Sequence, residues 1–116
     1  MIEILAAVGV LGYLVLLTLP GVELQFVMGG WTTLIGLVGG GSAGIVYHLA
    51  LRRALARVGV GTRGWLWSPV SRHASLDEQG RREVLPWFRL GATGFFICLA
   101  GLGWVVAAAV RASLAG

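Results

Sequence analysis

His48 is the residue in this chain best placed to do chemistry, because its type and position suit ligation or proton transfer. An imidazole beside a long apolar run can ligate haem or a chlorophyll, or relay protons. It lies four residues before Arg52, about 6 Å along a helix axis, at the depth where a hydrogen-bonded neutral histidine is inexpensive. A haem or metal ordinarily takes a second protein ligand, and no spacing ties His73, the other histidine, to His48. No resident cofactor or metal is expected, with haem or pigment on His48 as the alternative.

Other chemical patterns are weaker. Gly59-Val60-Gly61-Thr62-Arg63-Gly64 matches G-x-G-x-x-G, but the dinucleotide motif needs a strand before it and a helix after it. An arginine-tailed apolar run precedes it and Trp65-Leu66-Trp67-Ser68-Pro69 follows, so a turn is expected instead of a nucleotide site. The five carboxylates are Glu3, Glu23, Asp77, Glu78 and Glu83, and none lies deep in an apolar run. The serines have no His–Asp companions at a suggestive spacing, and no C-x-x-C, P-loop or H-E-x-x-H occurs. The single cysteine, Cys98, forms no internal disulfide. No catalytic residues are assigned, and an enzyme working alone is not expected.

The elements that must position these groups are dominated by apolar runs. Residues 91–110 carry neither charge nor proline, enough for one membrane-crossing helix. Residues 31–51 and the slightly shorter 4–19 are also uncharged. Hydrophobic residues make up 57% of the 116, and charged residues 12%, about half the usual share for a soluble domain. The expected fold is an all-α integral membrane protein with three transmembrane helices, at about 2–19, 27–51 and 89–110, in a single domain. Leu19-Pro20-Gly21 ends the first helix as a turn signal. The N-terminus lacks a positive region and is read as a retained helix, not a signal peptide.

Arginine placement sets the expected orientation. Eight of the nine arginines fall within residues 52–89, and the ninth is Arg111. By the positive-inside rule the connector, residues 52–88, and the N-terminus face the cytoplasm, and the C-terminus faces outward. The absence of lysine and asparagine is read as the mark of a GC-rich genome, and a bacterial inner membrane is the expected location. Nucleic acid is not expected as a partner. Within the connector, Ser75-Leu76-Asp77-Glu78 fits a capping box, and the Asp77/Arg81 and Glu78/Arg82 spacings suit helical ion pairs. A short interfacial cytoplasmic helix is expected over residues 76–85, with Pro86 kinking it or opening the third membrane helix.

Two patterns point to association. Gly36, Gly40 and Gly44 recur every four residues, and the stripe extends to Thr32, His48 and Arg52. Such small residues let helix backbones approach closely in lipid, within the chain or with a partner; Gly94 with Cys98 and Gly103 with Ala107 are candidate counterparts. Trp65, Trp67 and Trp87, with Arg52, Arg53, Arg57, Arg81, Arg82 and Arg89, suit an interfacial anchor that attracts anionic lipid, or a partner-docking surface. The expected function is a small non-catalytic accessory, assembly or scaffolding subunit, with other membrane subunits and the bilayer as partners. The alternatives are a homo-oligomeric channel or transporter lined by Thr32, Thr33, Ser42 and His48, and a haem or pigment carrier.

Overall fold

The computed structural model describes residues 1–18, 20–59 and 69–115. They form three α-helices, α1 (Ile2–Leu16), α2 (Val22–Arg57) and α3 (Glu78–Ala115), with a 3₁₀ turn at Val70–Ser75. No strand occurs among the described residues. At 36 and 38 residues, α2 and α3 are about 54 and 57 Å long, and the molecule extends 60 Å along its greatest axis. Both are long and apolar enough to cross a membrane; α1, at 15 residues, is shorter.

α2 and α3 pair as an antiparallel hairpin: Gly29 meets Gly101, Gly36 and Gly40 meet Gly94, and Ala54 meets Gly80. The seam is made of backbone. A Cβ on Gly36 would strike the Cys98 backbone, one on Gly94 would strike Gly40, and one on Gly101 would strike Thr33. A Cβ on Gly40 would stand 2.9 Å from the Gly94 carbonyl carbon. On α3 the seam runs Gly91, Gly94, Cys98, Gly101, Val105, Ala108, alternating steps of three and four as in a coiled-coil contact. On α2 it runs Gln25, Gly29, Thr33, Gly36, Gly40, Ala43, Tyr47, Leu51, Ala54.

The α2 seam corrects the strict four-residue stripe. Four residues turn a helix by about 400°, so such a stripe drifts by about 40° per step and by about 200° from Thr32 to Arg52. Gly36 and Gly40 therefore lie on the contact, and Thr33 replaces Thr32 there, its Oγ1 donating to Gly29 O at 2.7 Å. Gly44 is marginal, since its own Cβ would point into open space while its backbone touches Gly91. Of the counterparts expected on α3, Gly94 and Cys98 sit on the seam, whereas Gly103 faces Tyr13 of α1.

Packing changes character along the hairpin. Toward the connector the interior is a leucine-type core of Tyr47, Leu51, Ala54, Leu55, Leu76 and Val84, with Ala50 and Phe88 against it. Burying each leucine is worth about 1.5–3 kcal/mol where water is the alternative. Toward the other end the buried positions, Gln25 apart, are small: Gly29, Gly36 and Ala43 on α2, and Gly94, Gly101 and Ala108 on α3.

The expected short helix over residues 76–85 is not a separate element. It begins at Glu78 and runs unbroken through Pro86 to the end of α3. Proline removes an N–H and leaves the carbonyl four residues back, on Arg82, without its helical donor. Arg82 is exposed and Val84 and Phe88 pack on α2, so water can serve that carbonyl while tertiary contact holds the helix. The cap also differs from the expected box: Asp77, not Ser75, accepts from Gly80 N at 2.7 Å.

Gly94→Ala should therefore lower stability by at least about 1–3 kcal/mol through overpacking. Gly39→Ala, whose Cβ meets nothing, should be neutral or stabilising by up to about 1 kcal/mol. Thermal unfolding followed by circular dichroism checks both, and equal midpoints for the two variants would refute a backbone-tight seam.

Candidate functional site

Two polar clusters close the ends of the hairpin. At the connector end the 3₁₀ turn lays His73 over α2, where the Tyr47 hydroxyl and His73 Nε2 share a hydrogen bond of 2.6 Å whose donor is set by the ring's tautomer. Phe88 stands edge-on to His73 at a centroid distance of 5.0 Å. Tyr47 and His73 form a packed latch between α2 and the 3₁₀ turn, and among the described residues no carboxylate is hydrogen-bonded to the pair. Burial pushes the His73 pKa below its ordinary 6.5.

The arginines nearby are exposed: Arg52, Arg53, Arg57, Arg81, Arg82 and Arg89 all face outward. Among the described residues the ion pair is Arg57–Glu83, bidentate at 2.9 and 3.1 Å, with Gln79 donating to the same carboxylate at 3.1 Å. Hydrogen bonds from Arg57 hold the Glu83 carboxyl below the usual range. Among the described residues neither the expected Asp77–Arg81 nor the Glu78–Arg82 pair forms, and Asp77 turns inward to cap α3. Trp87, Arg53 and Arg82 line one groove between α2 and α3. Trp65, Trp67 and most of the glycine-rich turn lie outside the described residues. Gly59, at its start, has φ +72°, the left-handed conformation that glycine tolerates.

His48 lies one residue from the latch. Its Nδ1 donates to Gly44 O at 2.8 Å, which fixes the ring's tautomer, and its ring stands edge-on to Tyr47. It borders an apolar groove with Gly41, Gly44, Ile45 and Leu49. No cluster of three or more His, Cys, Asp or Glu side chains suited to a metal ion occurs among the described residues.

The opposite cluster was not legible from spacing. Gln25 is 1% exposed and ties the residue after α1 to two places on α3. Its Nε2 donates to Leu17 O at 3.0 Å and to Trp104 O at 3.2 Å, and its Oε1 accepts from Arg111. Arg111 also donates to Pro20 O at 2.7 Å. A glutamine four residues before Gly29, on the glycine seam, was the available signal; it reads as a plain connector residue until the seam is known. One turn deeper, Tyr13 donates to Ala100 O at 2.7 Å and stacks on Trp104 at 5.5 Å. These contacts fasten the end of α1, whereas residues 1–12 are exposed throughout.

Gln25→Leu should cost about 1–3 kcal/mol, because it strips Arg111 and two carbonyls of a buried partner. Chemical denaturation measures it, and a loss below about 0.5 kcal/mol would show the cluster to be incidental. His73 supplies a pH dependence. Its proton is bound more tightly when the chain is unfolded, so its contribution is full above 6.5 and is lost as pH falls through that value. The Glu83 contribution is lost in a separate window below 4.5. The thermal midpoint should fall between about pH 7.5 and about pH 5.5, and His73→Gln should flatten that slope; a flat wild-type profile would contradict the assignment.

No family model, no curated protein and no solved structure matches this chain.

Proposed function

We propose that this chain is an integral membrane protein and a small non-catalytic accessory or scaffolding subunit, offering α1 to a larger membrane partner. In this reading α2 and α3 cross the bilayer as a hairpin, with the connector in the cytoplasm and Arg111 at the outer face. The apolar stretch of α3, residues 90–110, is about 31 Å long, close to the thickness of a bilayer core. The seam register sets residues 24–44 of α2 beside it. About twelve residues of α3 and the last thirteen of α2 then stand in the cytoplasmic interface and beyond. α1, about 22 Å long, is the third membrane element.

The observation that carries the reading is the state of α1: apart from Glu3 in its first turn it is apolar on every side, and it contributes no buried residue. The rest of the surface agrees, since only 22% and 17% of the apolar windows of α2 and α3 are buried. A core helix of a soluble protein would be mostly covered. In lipid this exposure is inexpensive, and the small-residue seam is the packing mode that lipid favours. The Gly36/Gly40 face is already filled by α3, so docking passes to α1 and the exposed Arg/Trp surface of the connector end. The channel reading loses one candidate lining group, because the Thr33 hydroxyl is bonded within the seam.

Alkaline carbonate extraction tests the membrane assignment: the protein should stay in the pellet, and release into the supernatant would overturn it. A photo-crosslinking residue at Val8 or Leu11 tests the subunit assignment. Adducts to a different polypeptide are expected; adducts to lipid alone, or to further copies of this chain, would overturn it.

A further inference from the structure

The groove between α2 and α3 at the connector end has a lengthwise polarity. Its cavity is about 470 Å³. The end nearer the apolar stretch is walled by Val46, Leu49 and Trp87, and the far end by Arg53 from α2 and Arg82 from α3. From Val46 to Arg53 is seven residues, or about 10 Å of helix. An apolar floor thus leads within two turns to a pair of guanidinium groups supplied by two different helices.

Charge at the arginine end is not cancelled. Glu83 is the acid bordering the groove, and both of its oxygens are held by Arg57. Neither Arg53 nor Arg82 has an ion-pair partner among the described residues. The Arg57–Glu83 bridge therefore leaves two exposed cations facing one opening. Guanidinium binds phosphate oxygens through paired N–H donors, which a single exposed carboxylate elsewhere on the surface does not replace.

We propose that this groove is a binding site for an anionic phospholipid, with the phosphodiester between Arg53 and Arg82 and an acyl chain along Val46, Leu49 and Trp87. The proposal rests on the membrane reading above, which sets Val46 and Trp87 about 3–5 Å past the hydrocarbon edge, at headgroup depth, and the Arg53 and Arg82 backbones about 12–13 Å past it, within an arginine side chain's length of the headgroups. A phosphate with no acyl chain would use the arginines alone and leave the apolar floor uncovered. A zwitterionic lipid of the same chains would cover the floor but set its own cation beside the arginines. The site therefore selects net negative charge and acyl chain together.

The test uses the full chain purified in a nonionic detergent, with bound lipid read by native mass spectrometry and thermal midpoint as a second readout. Phosphatidylglycerol should be retained and should raise the midpoint; phosphatidylcholine of the same chains and inorganic phosphate should do neither. Each arginine near an anionic headgroup is worth about fivefold in affinity, so Arg53→Gln/Arg82→Gln should weaken retention about thirtyfold. Arg57→Gln leaves both arginines in place and frees the Glu83 charge at the groove, so retention should fall by about fivefold. Glu83→Gln should hold or raise it. Equal retention by the double variant, equal binding of phosphatidylcholine, or stabilisation by phosphate alone would overturn the site. Circular dichroism establishes that each variant is folded, and should the double variant fail to fold, Arg57→Gln and Glu83→Gln decide the matter through their opposite signs. Carbonate extraction of the wild type separates the two levels: a protein that pellets yet shows no lipid selectivity loses this site but keeps its membrane assignment.

Discussion

The contact between the backbone at Gly36 and Gly40 and the backbone at Gly94 and Cys98 sets the spacing of the whole hairpin. A Cβ on Gly36 would stand 2.7 Å from the Gly94 oxygen, and one on Gly94 would stand 3.1 Å from the Gly36 oxygen, so each helix faces the other's carbonyls without intervening side chains. At that separation dispersion and Cα–H···O contacts supply the attraction, many small terms over a long flat surface. They need no water to work. The seam places Tyr47 over the 3₁₀ turn, Arg57 opposite Glu83, and Gln25 within reach of Arg111. A shift of one residue on either helix would dissolve all three arrangements at once.

The same two helices use different packing on either side of Tyr47. Beyond it, Leu51, Leu55, Leu76 and Val84 are sealed from solvent, which is how chains gain stability when water surrounds them. Before it, glycine and alanine fill the interior while large side chains such as Ile35, Leu37, Phe95 and Phe96 point outward. In the membrane reading proposed above, hydrocarbon offers no hydrophobic reward for turning those residues inward, and the seam holds by proximity. The Gln25–Arg111 cluster fits the same scheme, because it places a cation and an amide where the apolar stretch ends and satisfies each with the other.

Much of this was legible in the residues, and the misses have definite causes. Helical character, the proline–glycine turn after α1 and the glycine contact all follow from local pattern. The exact line of the contact does not, because a four-residue repeat and a 3.6-residue helix part company after two turns; hence Thr33 in place of Thr32 and the marginal position of Gly44. The unbroken α3 was hidden by Pro86, whose usual effect is overridden by contacts of Val84 and Phe88 with α2, a segment some thirty residues away. Asp77 outcompeted Ser75 as the cap, and in doing so removed itself from the helical ion pair expected with Arg81. Gln25 and Arg111 are 86 residues apart, and no local rule pairs them. His73 and Tyr47, 26 apart, were joined by a turn that no periodicity announced.

The one-ended attachment of α1 has a mechanical consequence. Tyr13, lodged against Trp104 with Gly103 leaving room for its ring, is a pivot, and the eleven residues from Ile2 to Gly12 are a rigid arm about 16 Å long. A roll of roughly 10° at the pivot sweeps the tip of that arm by about 3 Å without disturbing α2 or α3. In its geometry the hairpin is a post and α1 an arm held at one end. In the subunit reading proposed above, such a lever would meet neighbours of different girth by swinging, with no repacking at its root.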